Sequence, residues 1–423
     1  MRNRIVVNCI VKEKNIIEYN YEVDGEWKQY FNNKEKFIIE YDQEIEEIPY
    51  GIAVIPFLCN VLPIAWIFDG EIIIDEVDED FYNSISNFKK GYIDMYPKID
   101  FLGKLTVNNI VSYKVEDNKK SLALFSGGVD AFYTLLSHIK EKPCIATIWG
   151  SDIKLNDTEG WSKVIEHTKA TAKLYDIDHT WIKSSFRMFI NEGRLGQAVY
   201  SRANDGWWHG FQHGIGLIGH VAPYIYKNNI SKVYIAASFT IQEKGKVTCA
   251  SDPTIDDNVR FCGAKVKHDG YEASRQDKIK YICQYSKDNN IEIPLRVCWE
   301  STGGSNCCKC EKCYRTLFGI LAEKEDPRKY GFNYSNKEFI YINKDLKNRV
   351  LLDMNDFISI LWKDIQYRFR ENYEIYELSN NLKWFYRFDI SNIDVILRKF
   401  YFKIIRKLKI KIYNLIRVVK RNG

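Results

Sequence analysis

Residues 122–125, Leu-Ala-Leu-Phe, are apolar without alternation, as expected of a parallel strand covered on both faces. Asp130 then opens an apolar series, Phe132, Leu135, Leu136 and Ile139, at helical spacing. The same alternation runs on. Residues 143–149 read as a second strand, 161–175 as a helix with one apolar and one charged face, and 179–182 as a third strand. An apolar helix over 211–226 and a fourth strand over 233–237 follow. Strand and helix in turn predict an α/β fold around a parallel sheet, in which ligands bind beyond the carboxyl ends of the strands. By that rule residues 126–130, 149–152, 183–185 and 238–240 converge on one cleft.

The flanking regions carry different patterns. Residues rich in β-branched and aromatic side chains predict strands at 5–10, 16–23, 37–41 and 72–74, with a short helix, so 1–118 reads as a β-rich α+β accessory domain. Residues 48–68 form an uncharged run of membrane-spanning length. Pro49, Pro56, Asn60 and Pro63 interrupt it, and acidic residues flank it without basic anchors. That pattern predicts buried strands joined by proline turns, not a transmembrane span. At the other end, 331–423 reads as a helical region. Its last part repeats Ile393, Leu397, Phe400, Ile404, Leu408, Ile412, Ile416 and Val419 at three- to four-residue spacing, a basic amphipathic helix.

Two local motifs carry chemistry. Ser126-Gly127-Gly128 turns the chain between a buried strand and a helix start, where free N–H groups and the absence of side chains suit a phosphate. It is not a Walker A loop, because no GxxxxGK[ST] occurs. Far downstream, Cys298, Cys307, Cys310 and Cys313 follow C-x8-C-x2-C-x2-C, with Cys308 offering a competing register that breaks the x2-x2 spacing. Four thiolates on two knuckles suit a closed tetrahedral Zn²⁺ site of structural purpose, and a set of four cysteines also serves iron–sulfur clusters.

Residues 126–130 resemble the SGGxD[S/T] loop of the N-type ATP pyrophosphatases, the PP-loop family. Followed about 170 residues later by this cysteine pattern, the loop resembles that of the 7-cyano-7-deazaguanine synthases. The resemblance covers 119–330, about half the chain. It implies a Rossmann-like parallel sheet of the PP-loop/HUP type, ATP with Mg²⁺, and Zn²⁺ on the four cysteines. It also implies a carboxylate that is adenylated and then attacked by a nitrogen nucleophile. Ser126, Gly127, Gly128, Val129 and Asp130 would hold the phosphates, Ser126 and Asp130 also serving catalysis, and the backbone at Ile148 and Trp149 would meet adenine. In the synthases the carboxylate is 7-carboxy-7-deazaguanine, which ammonia converts to an amide and then a nitrile. Some relatives in bacterial defence clusters are thought to use a protein amine.

The chain departs from that pattern at Ala131, where the family carries Ser or Thr. The lost bond to a charged phosphate is worth about 1.5–3 kcal/mol. The added flanking regions point to an acceptor other than, or larger than, ammonia. Asp252 falls where the synthases carry a purine-recognition stretch, and a carboxylate accepts two bonds from a guanine-like edge. Trp207, Trp208, His209 and His213 offer either a stacking platform for a planar base or core packing, the histidines as hydrogen-bonding groups. Arg260, Arg275 and Lys278 are candidate cations for leaving pyrophosphate, Lys278 in the catalytic set and Arg260 in the substrate set, against a default surface role.

Composition narrows the class further. The chain has 423 residues, 45% of them hydrophobic, enough for two or three domains. Eleven cysteines, concentrated in a metal pattern, fit a reducing cytosol, and no signal peptide is evident. Residues 37–88 hold twelve Asp and Glu and no Lys or Arg, either an acidic solvated surface or one that docks a basic partner. Residues 391–423 hold ten Lys and Arg against one Asp, which suits an RNA backbone, an anionic membrane surface or a solvated helix face. A cytoplasmic location follows, peripheral to a membrane if 391–423 binds one.

Three functions remain open on sequence. The first is an ATP-dependent C–N ligase acting on a small-molecule carboxylate, a deazapurine among the options, with ammonia or a protein amine as acceptor. The second is a PP-loop tRNA-modifying enzyme transferring sulfur or an amine. Sulfur transfer needs a thiol outside the metal set, and Cys144, Cys249 and Cys262 show no obvious partner in the sequence. The third is a catalytically silent nucleotide-binding or interaction protein.

Overall fold

The computed structural model describes residues 3–116, 119–298, 304–354, 356–392, 396–401, 403–405 and 407–408. The chain divides into two compact units, Met1–Ser274 with 302–304, and Arg275–Ser301 with Ser305–Gly423.

The first unit is an α/β body built on an eleven-stranded sheet. Its strands are β1 (Arg4–Glu13), β2 (Ile16–Asp24), β3 (Phe37–Tyr41), β4 (Glu71–Asp78), β5 (Lys104–Val111), β6 (Ser121–Leu124), β7 (Cys144–Trp149), β8 (His179–Ser184), β9 (Lys232–Ala236), β10 (Arg260–Phe261) and β11 (Ala264–Asp269). The order is β10-β11-β9-β6-β7-β8-β3-β2-β1-β4-β5, and six of the ten strand pairs are parallel. From β6 the chain steps outward through β7 to β8, then returns to the other side of β6 for β9 and β11. The strand order therefore reverses between β6 and β9, where open α/β sheets leave a crevice beyond the carboxyl ends. The non-alternating apolar run that begins at Leu122 lies in β6, with Ser121, Leu122 and Ala123 buried in the centre of the sheet.

The N-terminal strands do not close on themselves. β3 pairs antiparallel with β8, Glu40 opposite Lys183, so β1–β5 extend the same sheet. Phe37 and Phe189 stack across this junction, rings 4.5 Å apart and 6° from parallel, with Phe57 tilted against both.

The uncharged run folds differently from the expectation of strands and proline turns. It forms two helices, Tyr50–Ala53 and Ile55–Ile67, the second buried at every position. Pro56 sits in the first turn, where no amide hydrogen is needed, and the Asn60 side chain donates to the Pro56 carbonyl at 2.8 Å. A helix apolar on all sides has no period to read, and this one is core rather than membrane. Among the described residues no helix is long and apolar enough to cross a bilayer. Helix Ile55–Ile67 packs on helix His213–His220, where a Cβ on Gly219 would lie 2.6 Å from Cys59 Cβ.

The second unit is helical around the cysteine knuckles. Helices Arg275–Asn289, Glu311–Ala322, Asn336–Asp345, Asp356–Asn372 and Asn380–Arg387 gather an aromatic core of Phe318, Trp362, Phe369 and Phe385. Trp362 Nε1 donates to Glu311 at 2.9 Å, and Gln276 bridges to the Gly319 carbonyl and Glu323. Of the expected basic helix, 393–395, 402, 406 and 409–423 lie outside the described residues.

Candidate functional site

The glycine turn follows β6 at the point where the strand order reverses. Gly127 has φ +78°, a left-handed conformation that side chains resist, and Ser126 is exposed. Gly128, in an extended conformation, is the N-cap of helix Val129–Ser137, and its amide donates to Ser126 Oγ at 3.4 Å. Asp130 sits in the first turn of that helix. Ala131 is buried, on the packed face of the helix.

Beside it, at the carboxyl end of β7, Trp149 stacks on Trp161 with centroids 5.0 Å apart and planes 8° from parallel. Lys183 from the end of β8 lies over the Trp149 ring at 5.3 Å and pairs with Glu40 at 2.9 Å. The indole is thus engaged by protein, and its Nε1 donates to the Lys154 carbonyl. Trp207 is core, stacked on Phe211, and Trp208 lies under the Arg187 guanidinium at 4.1 Å. Core packing therefore accounts for Trp207, and Arg187 for one contact of Trp208.

Beyond the ends of β9 and β11 lies a polar cluster that the sequence did not expose. The His209 ring meets Phe239, just past β9, edge-on at 6.0 Å. Its Nδ1 lies 3.0 and 3.1 Å from the two oxygens of Asp205. Asp205 also accepts from Tyr96 at 3.0 Å and Thr248 at 2.7 Å. Burial alone would raise this carboxyl, and the His209, Thr248 and Tyr96 donors outweigh it, leaving it below its ordinary value. The Cys249 thiol interacts with both His209 and His213. Adjacent to it, Ser251 donates to Asp256 at 2.8 Å, which His268 also meets at 2.8 Å, all three buried. His213, singled out from sequence, thus joins His209 and Cys249.

Other expected residues fall elsewhere. Asp252 accepts from the Thr254 amide at 2.8 Å and its hydroxyl at 2.6 Å, capping the short helix Pro253–Asp256. Arg260 on β10 is opposite Lys265, which in turn is opposite Lys232, the first residue of β9. That register carries Arg260 to the amino ends of the parallel strands, the edge opposite the glycine turn. Lys278 and Arg275 belong to helix Arg275–Asn289 of the second unit. Two open polar depressions, about 530 and 430 Å³, lie over β1–β2 and around Asn32 and Arg187, and none of the expected site residues lines them.

In the second unit the four cysteines converge, their sulfurs all within 4.8 Å of one another. Cys298 and Cys310 Sγ are 3.8 Å apart, Cys307 and Cys313 3.9 Å. A tetrahedral ion with bonds of about 2.3 Å sets sulfurs about 3.8 Å apart, so this donor set fits a metal ion. Cys308 has φ +51°, the tight turn of the knuckle. The Lys309 amide donates to Cys307 Sγ and the Cys313 amide to Cys310 Sγ, each at 3.4 Å. Donation from Cys313 holds the Cys310 thiol below its ordinary value. Among the described residues no other group of three or more His, Cys, Asp or Glu is placed to hold a metal.

No family model matches the chain, and no curated protein or solved structure matches it.

Proposed function

We propose that this protein is an ATP-dependent, AMP-forming C–N ligase of the PP-loop type, resembling the 7-cyano-7-deazaguanine synthases. The observation that carries the reading is the Ser126–Asp130 turn at the carboxyl end of the central strand, where the strand order reverses. The Ser126 hydroxyl and the amides of Gly127, Gly128 and Val129 hold the phosphates, and Asp130 shares the Mg²⁺ that offsets their charge. The substrate carboxylate attacks the α-phosphorus, pyrophosphate leaves, and an amine or ammonia displaces AMP to give an amide, or a nitrile after dehydration. The four cysteines hold a structural Zn²⁺ and take no part in the chemistry.

Purified full-length protein, given ATP, Mg²⁺ and a panel of carboxylates that includes 7-carboxy-7-deazaguanine, should release pyrophosphate with at least one of them. Asp130→Ala should abolish that release. Failure of every carboxylate to elicit AMP, with or without ammonia or an amine, overturns the reading. Ala131 favours a second reading, a protein that binds nucleotide without turnover. Calorimetry showing ATP binding in the face of that failure would support it.

A further inference from the structure

We propose that Asp205, His209 and Cys249 form a nucleophilic triad, and that Cys249 carries the activated acyl group as a thioester before the amine receives it. The proposal rests on the ligase reading for its acyl donor. The Asp205–His209 leg stands on geometry in the first unit, and the Cys249 leg on the thiol's interaction with His209. Asp205 is buried and anchored by Tyr96 and Thr248, which leaves its two oxygens fixed on His209 Nδ1. The Ala250 amide donates to the His209 carbonyl at 2.8 Å, tying the cysteine segment to the histidine segment. The Ser251 amide donates to Cys249 Sγ at 3.4 Å. This is the order in which an orienting carboxylate, a base and a nucleophile act together.

The electrostatics agree. Burial pushes Cys144 up to about 12 and raises Cys59 and Cys262 as well. Cys249 is equally buried, yet its contacts with His209 and His213 outweigh burial and bring it down to about 7. The Asp205 bond, reinforced by Cys249, lifts His209 to about 10. At neutral pH the sulfur is therefore about half thiolate, beside an imidazolium. Tyr92, Tyr96 and Asp256 are the other titratable groups facing this cluster, Asp256 acting on His213's side. The His209 side chain is 47% exposed, whereas Cys249 is buried. His213 Nδ1 is buried and has no hydrogen-bond partner among the described residues, which leaves it open to an incoming polar group.

The chemistry balances without a further reagent. The thiolate attacks the carbonyl carbon of the acyl adenylate, a C–S bond forms, the bond from that carbon to the phosphate oxygen breaks, and AMP leaves with the electron pair. The amine then attacks the thioester, C–N forms, C–S breaks and sulfur leaves as thiolate. The proton lost by the amine passes to His213 and on to water. Because β6 and β9 are neighbours in the sheet, the glycine turn and the Cys249 cluster stand beyond adjacent strand ends.

Two measurements test this separately from the ligase reading. The first needs no substrate: iodoacetamide labelling at pH 7, read by mass spectrometry on the Cys249 peptide. A thiolate at about 7 is half ionised there, against about one part in a hundred for a thiol at 9. Labelling should be at least tenfold slower in His209→Gln and in Asp205→Asn. Equal rates in wild type and both variants, each shown folded by circular dichroism, overturn the triad. The second incubates the full chain with ATP, Mg²⁺ and 7-carboxy-7-deazaguanine, without amine. A hydroxylamine-labile mass adduct should appear on Cys249, persist in Cys9→Ser and vanish in Cys249→Ser. Pyrophosphate release with no adduct overturns the thioester step, whereas absence of pyrophosphate release counts against the ligase reading and leaves the labelling result to judge the triad.

Discussion

Cys298 and Cys310 lie twelve positions apart in the chain, and their sulfurs are 3.8 Å apart. With the 3.9 Å separation of Cys307 and Cys313, this gives the edges of a small tetrahedron. Elemental analysis of the purified protein should find one zinc per chain. Chelation should unfold the second unit first, because binding at such sites is worth roughly 10–16 kcal/mol in zinc peptides. Limited proteolysis after chelation, compared with the metal-replete protein, reads this directly: new cuts should fall within 305–387.

Asn306 acts on that centre through the backbone. Its amide nitrogen donates to the carbonyls of Leu295 at 2.8 Å and Gly331 at 3.0 Å, while its oxygen accepts from the Val297 amide at 2.9 Å. It therefore ties the segment that bears Cys298 to the segment that bears Cys307. Asn306→Ala leaves three backbone groups unpaired and should weaken metal retention about 10- to 100-fold, the range for groups that orient metal ligands. Competition with a chromophoric chelator measures this. Retention unchanged from wild type would show that the knuckles hold themselves.

The sequence exposed what is local and hid what is distant. β6 and its glycine turn were legible because a non-alternating run and a Ser-Gly-Gly leave marks within about ten residues. The cysteine knuckles were legible by spacing alone. Helix Ile55–Ile67 was not, because a segment buried on every side carries no 3.6-residue period. The pairing of β3 with β8, which joins Glu40 to Lys183, leaves no local trace. Cys249 lacked a visible partner for the same reason: His209 lies forty positions upstream and Asp205 forty-four. The one sequence signal was the His209–His213 spacing at the start of a helix, and nothing in it pointed to a thiol.

A buried neutral histidine sets an acid limit on the first unit. His220 is fully buried, with its ring 2.8 Å from Ser184 Oγ, and burial pushes it down to about 4 from an ordinary 6.5. Its folded-state value lies below its unfolded value, so the unfolded chain takes up the proton first. Stability present above pH 6.5 is lost as the pH falls through 4, by about 3 kcal/mol from this group. His179, lowered by burial and Lys169, acts in the same sense. Asp78, raised to about 6 by burial, acts in the opposite sense, losing stability as the pH rises from about 4 to 6. Urea unfolding at pH 7 and pH 4.5 should show wild type losing stability on acidification, and His220→Gln losing less. An equal loss in the two proteins would place the acid sensitivity elsewhere.

Gly219 and Cys59 bring two helices into contact at the centre of the first unit. A Cβ at 219 would lie 2.6 Å from Cys59 Cβ and 2.7 Å from its sulfur, inside the limit that side chains tolerate. Neighbouring Gly216 faces Asn60, whose oxygen accepts from Gln212 at 2.8 Å, so the same close approach aligns a buried polar bond. The helix His213–His220 carries His213 at its start, and the approach at Gly219 therefore sets where His213 stands relative to Cys249. Gly219→Ala should destabilise the first unit by about 1–3 kcal/mol, the cost of forcing an extra carbon into a packed core. Cys59→Gly removes both offending atoms, so the double variant should recover part of what Gly219→Ala loses, read as a coupling between the two sites in denaturant unfolding. Simple additivity in that cycle would mean that the helices part without regard to this contact.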